Sequence, residues 1–252
     1  MNEAHLFAQK DCRHLCGDST ALADIQAVMA GEKARLILAD PPYCLLKRRR
    51  KDGRERDPKR HKIYNEAVRR FENVQEYYGF TKGWMQLCAQ HLTDDGTFVV
   101  WTNFLGGKPI RDVADELGLH HHGDYVWAKL SKEGSGNEQL ARIYEFAPVF
   151  GVQPKTPLTD LSQLPPRHHI SGYDSDKEGA KWGGHPNHKA FRVLEPLIRY
   201  YTQPGDRILD PFTGSGSTPA AAIRLGRVVS GLELRPQWAD MTQQRMAQSL
   251  GL

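Results

Sequence analysis

Two observations predict an α/β fold in which helices cover both faces of a sheet. The first is that short apolar runs alternate with helical patterns along most of the chain. The second is a strand–helix–strand unit, in which strands over Arg207–Asp210 and Val228–Glu233 flank a helix over 219–226. Proline in the first turn of this helix and glycine at its end are the residues expected there. A unit of this kind places its two strands parallel in one sheet.

The other elements follow from periodicity and from turn residues. Helices are predicted over 23–30, 80–91 and 109–117. Strands are predicted over 36–39, 97–101, 124–129 and 143–150, the last two as an antiparallel pair. Asp95-Gly96 is predicted to form a turn before the strand over 97–101. His120, His121 and His122 are predicted to border a turn after a helix.

The most informative segment, Asp40-Pro41-Pro42-Tyr43, directly follows the apolar strand over 36–39. Functional groups are commonly presented at that edge of an open α/β sheet. The prolines fix φ and have no N–H, so their carbonyls are free acceptors on a stiff loop. A carboxylate, rigid acceptors and a flat ring suit a planar base that carries an amino group. The structural alternative is an ordinary tight turn with a surface tyrosine.

A glycine turn follows the strand Arg207–Asp210, and Glu233 ends the next strand about twenty residues farther on. Gly214 and Gly216 let the backbone approach a ligand closely, and Glu233 can accept hydrogen bonds from ribose hydroxyls. The third glycine of a dinucleotide fingerprint is missing, and no lysine follows as in a P-loop. A nicotinamide-dependent dehydrogenase would explain the turn and Glu233, but not Asp40-Pro41-Pro42-Tyr43.

Together these motifs resemble those of the S-adenosylmethionine-dependent DNA methyltransferases that modify adenine N6 or cytosine N4. In that family Asp-Pro-Pro-Tyr is the catalytic motif, and Phe-x-Gly-x-Gly, here starting at Phe212, is the cofactor motif. The catalytic motif comes first, which resembles the β class of the family. This implies a circularly permuted Rossmann-like methyltransferase sheet in a single domain over 1–252, with a small irregular recognition insertion. The resemblance extends from about His14 to about Arg245.

The resemblance also implies which residues bind the cofactor, S-adenosyl-L-methionine. Leu15-Cys16-Gly17-Asp18 resembles the family strand whose acid lies near the cofactor adenine. The segment 185–189 resembles a His-Pro-x-x-Lys motif, although Ala190 stands where the family usually has proline. The cofactor-binding residues implied in this way are Asp18, Lys189, Asp210, Pro211, Phe212, Thr213, Gly214, Ser215, Gly216, Ser217, Thr218 and Glu233.

The catalytic residues implied are Asp40, Pro41, Pro42 and Tyr43. The Asp40 carboxylate and the Pro41 carbonyl would accept the N–H groups of the target amine, and Tyr43 would stack on a base flipped out of double-stranded DNA. Asp at the first motif position is typical of adenine N6 enzymes, whereas Ser is typical of cytosine N4 enzymes, so adenine N6 is the expected target and cytosine N4 the alternative. A more distant alternative is a glutamine or guanine methyltransferase, whose motif is Asn-Pro-Pro-Tyr.

Positive charge is concentrated directly after the catalytic motif. Residues 47–62 contain ten Lys or Arg and three acids, a net +7, whereas the whole chain carries +4. A loop over 47–78 is therefore expected to bind DNA phosphates, although such runs are often merely solvated. A non-catalytic DNA-binding module would explain this loop, but not two ligand motifs at strand ends. The DNA-binding residues predicted are Lys47, Arg48, Arg49, Arg50, Lys51, Arg54, Lys59, Arg60 and Lys62.

Family order places target recognition in the irregular segment 151–184, for which a structural connector is the alternative.

Four cysteines without a regular framework indicate a reducing compartment. Neither a signal sequence nor an apolar span is present, so a cytoplasmic protein without membrane contact is expected. No metal site is predicted at Cys12, His14 and Cys16 or at the three adjacent histidines, and Cys44 is predicted to be a wall residue. A homodimer and a cognate restriction enzyme are partners that the family allows.

Overall fold

The computed structural model describes residues 6–47, 69–129, 144–154, 168–171 and 188–252. The strands in these ranges are β1 (Leu6–Gln9), β2 (Cys12–Cys16), β3 (Ala34–Ala39), β4 (Leu92–Val100), β5 (His120–Lys129), β6 (Tyr144–Gly151), β7 (His168–Ser171), β8 (Arg207–Asp210) and β9 (Val228–Glu233). The helices are α1 (Leu22–Met29), α2 (Val74–Ala89), α3 (Phe104–Glu116), α4 (Phe191–Tyr201), α5 (Ser217–Arg224) and α6 (Pro236–Leu250).

The strands form one sheet in the order β1-β2-β9-β8-β3-β4-β6-β5-β7. β1 and β6 run antiparallel to their neighbours, and the other neighbouring pairs are parallel. From β3 the chain continues to β4 on one side, and from β8 it continues to β9 on the other side. The boundary between β3 and β8 is therefore a topological switch point, where open α/β sheets bind ligands beyond the carboxyl ends of their strands.

The side chains of β3 divide the core into two layers. Ile37 and Ala39 pack on the face covered by α1, α2 and α3, whereas Leu36 and Leu38 pack on the face covered by α4, α5 and α6. All four are at most 1% exposed. A parallel strand covered on both faces has a continuous apolar sequence, which is why this strand could be recognised. The predicted α/β fold with helices on both faces is confirmed.

Most predicted elements are present, with different ends. β5 and β6 pair antiparallel as predicted, with Tyr125 opposite Ala147. Helix α2 begins at Val74 because the Asn73 side chain caps it by accepting the Glu76 N–H at 2.8 Å. The last five residues of the range 47–78 therefore belong to this helix. The three adjacent histidines follow α3 and a turn, as predicted, but they are also the first residues of β5.

Two local predictions are wrong. Asp95-Gly96 lies within β4, as part of a bulge between the pairs Ala34–Leu92 and Leu36–Thr97, because β4 resumes pairing with β3 after it. The segment 151–184 was expected to lack regular structure, yet β7 lies within it and pairs parallel with β5 at the edge of the sheet. Four residues are too few to show a periodicity, so the pairing partner decides their conformation.

None of the helices in the described residues is long and apolar enough to cross a membrane.

Candidate active site

Four loops meet at the carboxyl edge of the neighbouring strands β2, β9, β8 and β3. Asp18 follows β2, Glu233 ends β9, the glycine turn follows β8, and Asp40 follows β3. The loops after β2 and β9 are tied together, since the Gly17 N–H donates to the Glu233 carbonyl at 3.0 Å. The two motifs found in the sequence therefore lie side by side at the switch point, although about 170 residues separate them along the chain.

The glycine turn is closed around the Glu233 carboxylate. The Gly214 N–H donates to Oε2 at 3.0 Å, and the Arg235 N–H donates to Oε1 at 2.9 Å. Gly214 and Gly216 have φ of 52° and 75°, a left-handed conformation that favours glycine. Burial raises the pKa of Glu233, although these two N–H groups oppose the shift. The acid predicted to bind ribose hydroxyls thus lies against the turn that would admit a nucleoside.

Asp210 is the most deeply buried carboxyl group of the site, at 2% exposure. Its Oδ1 accepts the Phe212 N–H at 3.0 Å. Burial, together with the charges of Asp40 and Glu233, raises the pKa of Asp210 to about 8, despite hydrogen bonds from Phe212 and Thr218. No cationic side chain of the described residues forms an ion pair with it. A buried carboxyl of this kind favours a cationic ligand.

The side chains of the glycine turn mostly face the protein interior. Phe212 packs edge-on against Trp84, with ring centroids 5.1 Å apart. The other side chains of the turn are buried, so a ligand would meet mainly backbone atoms. These side chains belong to Pro211, Thr213, Ser215, Ser217 and Thr218.

Three polar residues that were not predicted as site residues contact the glycine turn from the protein interior. The buried His14 contacts Thr213 through Nε2 and Oγ1 at 2.8 Å, and burial lowers its pKa to about 3, so it is neutral. Thr242 Oγ1 donates to the Gly214 carbonyl at 3.0 Å. Arg245 Nη1 donates to the Ser215 carbonyl at 3.0 Å. These contacts fix the shape of the turn.

Asp18 adopts a compact turn beside Glu233. Its Oδ1 accepts both the N–H and the hydroxyl of Thr20 at 2.8 Å, and its own N–H donates to Asp24 Oδ2 at 2.7 Å. The carboxylate is half-buried at the edge of the glycine turn. This position agrees with a role near the cofactor, which stays a prediction.

The catalytic motif carries an ion-pair cluster, defined here as Asp40, Tyr43, Glu145 and Lys189. Lys189 Nζ lies 2.6 Å from Asp40 Oδ2, donates to Tyr43 Oη at 3.1 Å and lies 3.4 Å from Glu145 Oε2. The Tyr43 hydroxyl donates to Glu145 Oε2 at 2.7 Å. Lys189 was predicted to bind the cofactor, which stays a prediction; in the structure its ammonium lies on the Asp40 carboxylate.

The cluster is largely buried, and its ionisation states follow from that. Burial alone would lower the pKa of Lys189, but the carboxylates of Asp40 and Glu145 outweigh this and raise it, so Lys189 is a cation. Burial, helped by the same two carboxylates, raises the pKa of Tyr43 well above its ordinary value, so its hydroxyl keeps its proton. Two carboxylates and one ammonium give the cluster a net charge of −1.

The segment before α4 connects the two motifs. His188 Nδ1 lies 2.9 Å from Ser217 Oγ at the glycine turn, while the next residue, Lys189, contacts Asp40. Ala190, where the family usually has proline, has φ of −63° at the cap of α4. That is the value proline would impose, so the substitution leaves the backbone as the motif requires.

Hydrogen bonds fix residues 44–47, which directly follow the catalytic motif. Asn103 Nδ2 donates to the Cys44 carbonyl at 3.0 Å, and the Cys44 side chain is fully buried in the core, as expected of a wall residue. The Lys47 N–H donates to the Phe71 carbonyl at 2.8 Å, and Lys47 Nζ pairs with Glu72 at 2.5 Å. Pro41 is buried and Pro42 half-buried.

Of the predicted DNA-binding residues, only Lys47 is described. The others lie outside the described residues: Arg48, Arg49, Arg50, Lys51, Arg54, Lys59, Arg60 and Lys62. In the predicted recognition segment 151–184, only 151–154 and 168–171 are described.

The donor set around the glycine turn fits S-adenosylmethionine. This molecule carries positive charge on sulfur and on its amino group, a ribose diol and a flat purine. Asp210 offers a buried carboxyl group that a cationic ligand would ionise and that has no cationic partner among the described side chains. Glu233 offers carboxylate acceptors, and Asp18 lies next to it. The catalytic loop borders this group, since the charge of Asp40 acts on Asp210.

Two further features lie away from this arrangement. A shallow cavity of about 650 Å³ lies at the opposite, amino-terminal edge of the sheet, lined by residues such as Glu32, Asp95 and Arg207. In the described ranges no cluster of three or more His, Cys, Asp or Glu side chains could hold a metal ion.

Comparison with known proteins identifies relatives of this arrangement. The sequence profile of the N6/N4 DNA methylase family matches residues 34–244. YubD of Escherichia coli (strain K12), a protein named as a methylase, is 28% identical over 251 residues, which cover 96% of this chain and 89% of YubD. The type II methyltransferase M2.DpnII of Streptococcus pneumoniae is 26% identical over 242 residues, covering 86% of this chain and 84% of the relative.

Solved structures share the fold. The complex of M1.HpyAVI with S-adenosylmethionine has a TM-score of 0.66 at 20% identity, covering 92% of this chain and 98% of that one. The cytosine-N4-specific PvuII DNA methyltransferase also has a TM-score of 0.66, at 21% identity, covering 94% of this chain and 87% of that one.

Proposed function

The chain belongs to the N6/N4 DNA methylase family, a family of S-adenosylmethionine-dependent enzymes, and we propose that it methylates N6 of adenine in DNA. The observation that carries the proposal is Asp40, a carboxylate on a stiff loop beside the glycine turn. Asp at this motif position is typical of adenine N6 enzymes. Cytosine N4 is the second candidate, because the family includes both activities and the PvuII enzyme, which is similar in fold, is cytosine-N4-specific.

The target nitrogen is a poor nucleophile because its lone pair is delocalised into the ring. When bound, S-adenosylmethionine supplies a methyl group whose bond to sulfur breaks as the carbon–nitrogen bond forms. Asp40 and the Pro41 carbonyl accept the two N–H groups, which raises the electron density on the nitrogen and turns its lone pair towards the methyl donor. The methylated nitrogen is positively charged until it loses a proton to water, and the net negative charge of the cluster stabilises that charge.

DNA must deliver the base outside its stack, because the amine is not accessible in line within a duplex. Tyr43 provides a ring for stacking, a contact worth about 1–3 kcal/mol per base. We propose that the basic segment 47–62 contacts phosphates, and that residues within 151–184 read the sequence. Lys47, the first residue of the basic segment, lies four residues after Tyr43, and its N–H donates to the Phe71 carbonyl.

The test is nucleoside mass spectrometry of DNA treated with the protein and S-adenosylmethionine. The substrate is PCR-amplified bacterial genomic DNA, which carries no N6-methyladenine or N4-methylcytosine and offers many sequences. We expect N6-methyladenine, formed at least about a hundredfold more slowly by the Asp40→Ala variant. N4-methylcytosine alone would replace adenine by cytosine as the target, and the absence of any methylated base would overturn the proposed activity.

A further inference from the structure

Lys189 occupies one of the two Asp40 carboxylate oxygens that the target amine can use. Its Nζ lies 2.6 Å from Asp40 Oδ2, and its side chain is only 7% exposed. An ammonium group presents N–H donors to a carboxylate as an exocyclic amine does. A base whose amine takes Oδ2 displaces Lys189 from Asp40, and a buried ammonium that loses its partner is strongly destabilised.

Glu145 is placed to accept the displaced lysine. Its Oε2 lies 3.4 Å from Lys189 Nζ, and its side chain is 18% exposed. Glu145 comes from β6, which runs antiparallel to β4. Because of this direction, the start of β6 lies at the edge where the catalytic loop leaves β3. A parallel strand at this place in the sheet would have put its last residues there.

We propose that Glu145 is a positioning residue for methyl transfer. It receives the Lys189 ammonium when the base binds Asp40. It also holds the Tyr43 ring, because its Oε2 accepts a hydrogen bond from the Tyr43 hydroxyl at an O–O distance of 2.7 Å. This inference rests on the proposed transfer to an exocyclic amine, and it applies to adenine and cytosine alike. Neither sequence motif contains Glu145.

The charge of Glu145, rather than its shape, is what the proposal requires. With both carboxylates ionised, Lys189 can move from one to the other and stay paired. Without the Glu145 charge, Asp40 is the only anionic partner of Lys189 in the cluster. The target amine then has to break the Lys189–Asp40 pair while Lys189 gains no other carboxylate. Removing Glu145's charge should therefore slow catalysis, and removing Lys189 as well should relieve that defect.

Glu145→Gln keeps the size of the side chain and an acceptor for Tyr43 but removes the charge. We expect its kcat on PCR-amplified genomic DNA to fall at least tenfold, while its calorimetric Kd for S-adenosylmethionine stays within twofold of the wild-type value. Glu145→Asp retains the charge on a shorter side chain and should keep a higher kcat than Glu145→Gln. Glu32→Gln, the same change at the opposite edge of the sheet, is the matched control and should leave kcat unchanged.

The double variant Glu145→Gln/Lys189→Met is decisive. We expect its kcat to exceed that of Glu145→Gln severalfold, because no ammonium then competes for Asp40. Wild-type kcat in Glu145→Gln, or a double variant no faster than Glu145→Gln, would overturn the inference alone. A wild-type protein that methylates no DNA would overturn the proposed function and this inference with it.

Discussion

Asp210 links cofactor binding to pH. Burial raises its pKa to about 8, so the free protein carries a protonated carboxyl at pH 6 and increasingly a carboxylate above pH 8. A cationic ligand next to it favours the carboxylate, so binding releases a proton. The association constant should therefore rise with pH up to about pH 8 and level off above it.

Calorimetric titration with S-adenosylmethionine at several pH values tests this coupling. The affinity should rise by at most about tenfold per pH unit between pH 6 and 8. Asp210→Asn cannot titrate and should bind more weakly, with a nearly flat pH profile. An affinity of the wild-type protein that falls as pH rises over this range would contradict the assigned role of Asp210.

Tyr43 has a second task beside stacking, because its hydroxyl donates to Glu145 and accepts from Lys189. Tyr43→Phe keeps the ring but releases both partners, so we expect kcat to fall severalfold. Tyr43→Ala also loses the stacking surface and should fall considerably further. Steady-state kinetics of the two variants separates these roles, and equal losses in both would show that the ring contributes nothing beyond its hydroxyl.

Residues close in sequence to a strand end could be predicted, whereas partners from distant segments could not. Asp40 and Tyr43 follow one apolar run, and Gly214 follows another. The local sequence pattern therefore predicted that both motifs lie at strand ends. The contact of Lys189 with Asp40 joins residues 149 positions apart, and that of Tyr43 with Glu145 joins residues 102 apart. Such pairs depend on strand order and direction, which residue types do not specify.

The turn between β8 and α5 is the element on which cofactor binding depends. Gly214 has φ of 52°, and its N–H faces the Glu233 carboxylate. A β-branched side chain there is strained and fills space beside the acid. We expect Gly214→Val to bind S-adenosylmethionine at least tenfold more weakly by calorimetry.

Gly118→Val is the matched control for the strain itself. Gly118 has φ of 71°, lies after α3, and a Cβ there would meet no atom within 4 Å. This variant should lose stability in thermal unfolding but keep its cofactor affinity. Unchanged affinity in folded Gly214→Val, or an equal loss in both variants, would remove the turn from the cofactor site.

Elements with a clear periodic or apolar pattern could be predicted from the sequence. Elements whose conformation depends on pairing with a neighbouring strand could not. β3 and β8 were recognised from apolar runs covered on both faces. β7 was missed because four residues at the edge of a sheet take their conformation from β5. The bulge in β4 was read as a turn because Asp95-Gly96 has the composition of one.

For the whole molecule, the separation of charge predicts how DNA is bound. The segment 47–62 carries +7, so the rest of the chain carries −3. Replacing Arg48, Arg49 and Arg50 by Glu should weaken binding to all DNA sequences alike. The slope of log affinity against log salt should become shallower by up to about 3, since each phosphate contact contributes about 0.9.

Fluorescence anisotropy with two unrelated duplexes at several salt concentrations measures this slope, and sequencing with modified-base detection reports the methylated site. The preferred site should stay the same. A triple variant that kept its affinity but methylated a different sequence would make the basic segment the recognition element, in place of residues within 151–184.

The central claim is that two neighbouring motifs divide the work, the glycine turn binding the cofactor and Asp40 positioning the amine. The most direct test compares wild type and Asp40→Ala in two assays, calorimetric binding of S-adenosylmethionine and transfer of its labelled methyl group to unmethylated DNA. We expect equal cofactor affinity and a transfer rate at least about a hundredfold lower in the variant. Transfer at the wild-type rate, or loss of cofactor binding in a folded variant, would contradict the account.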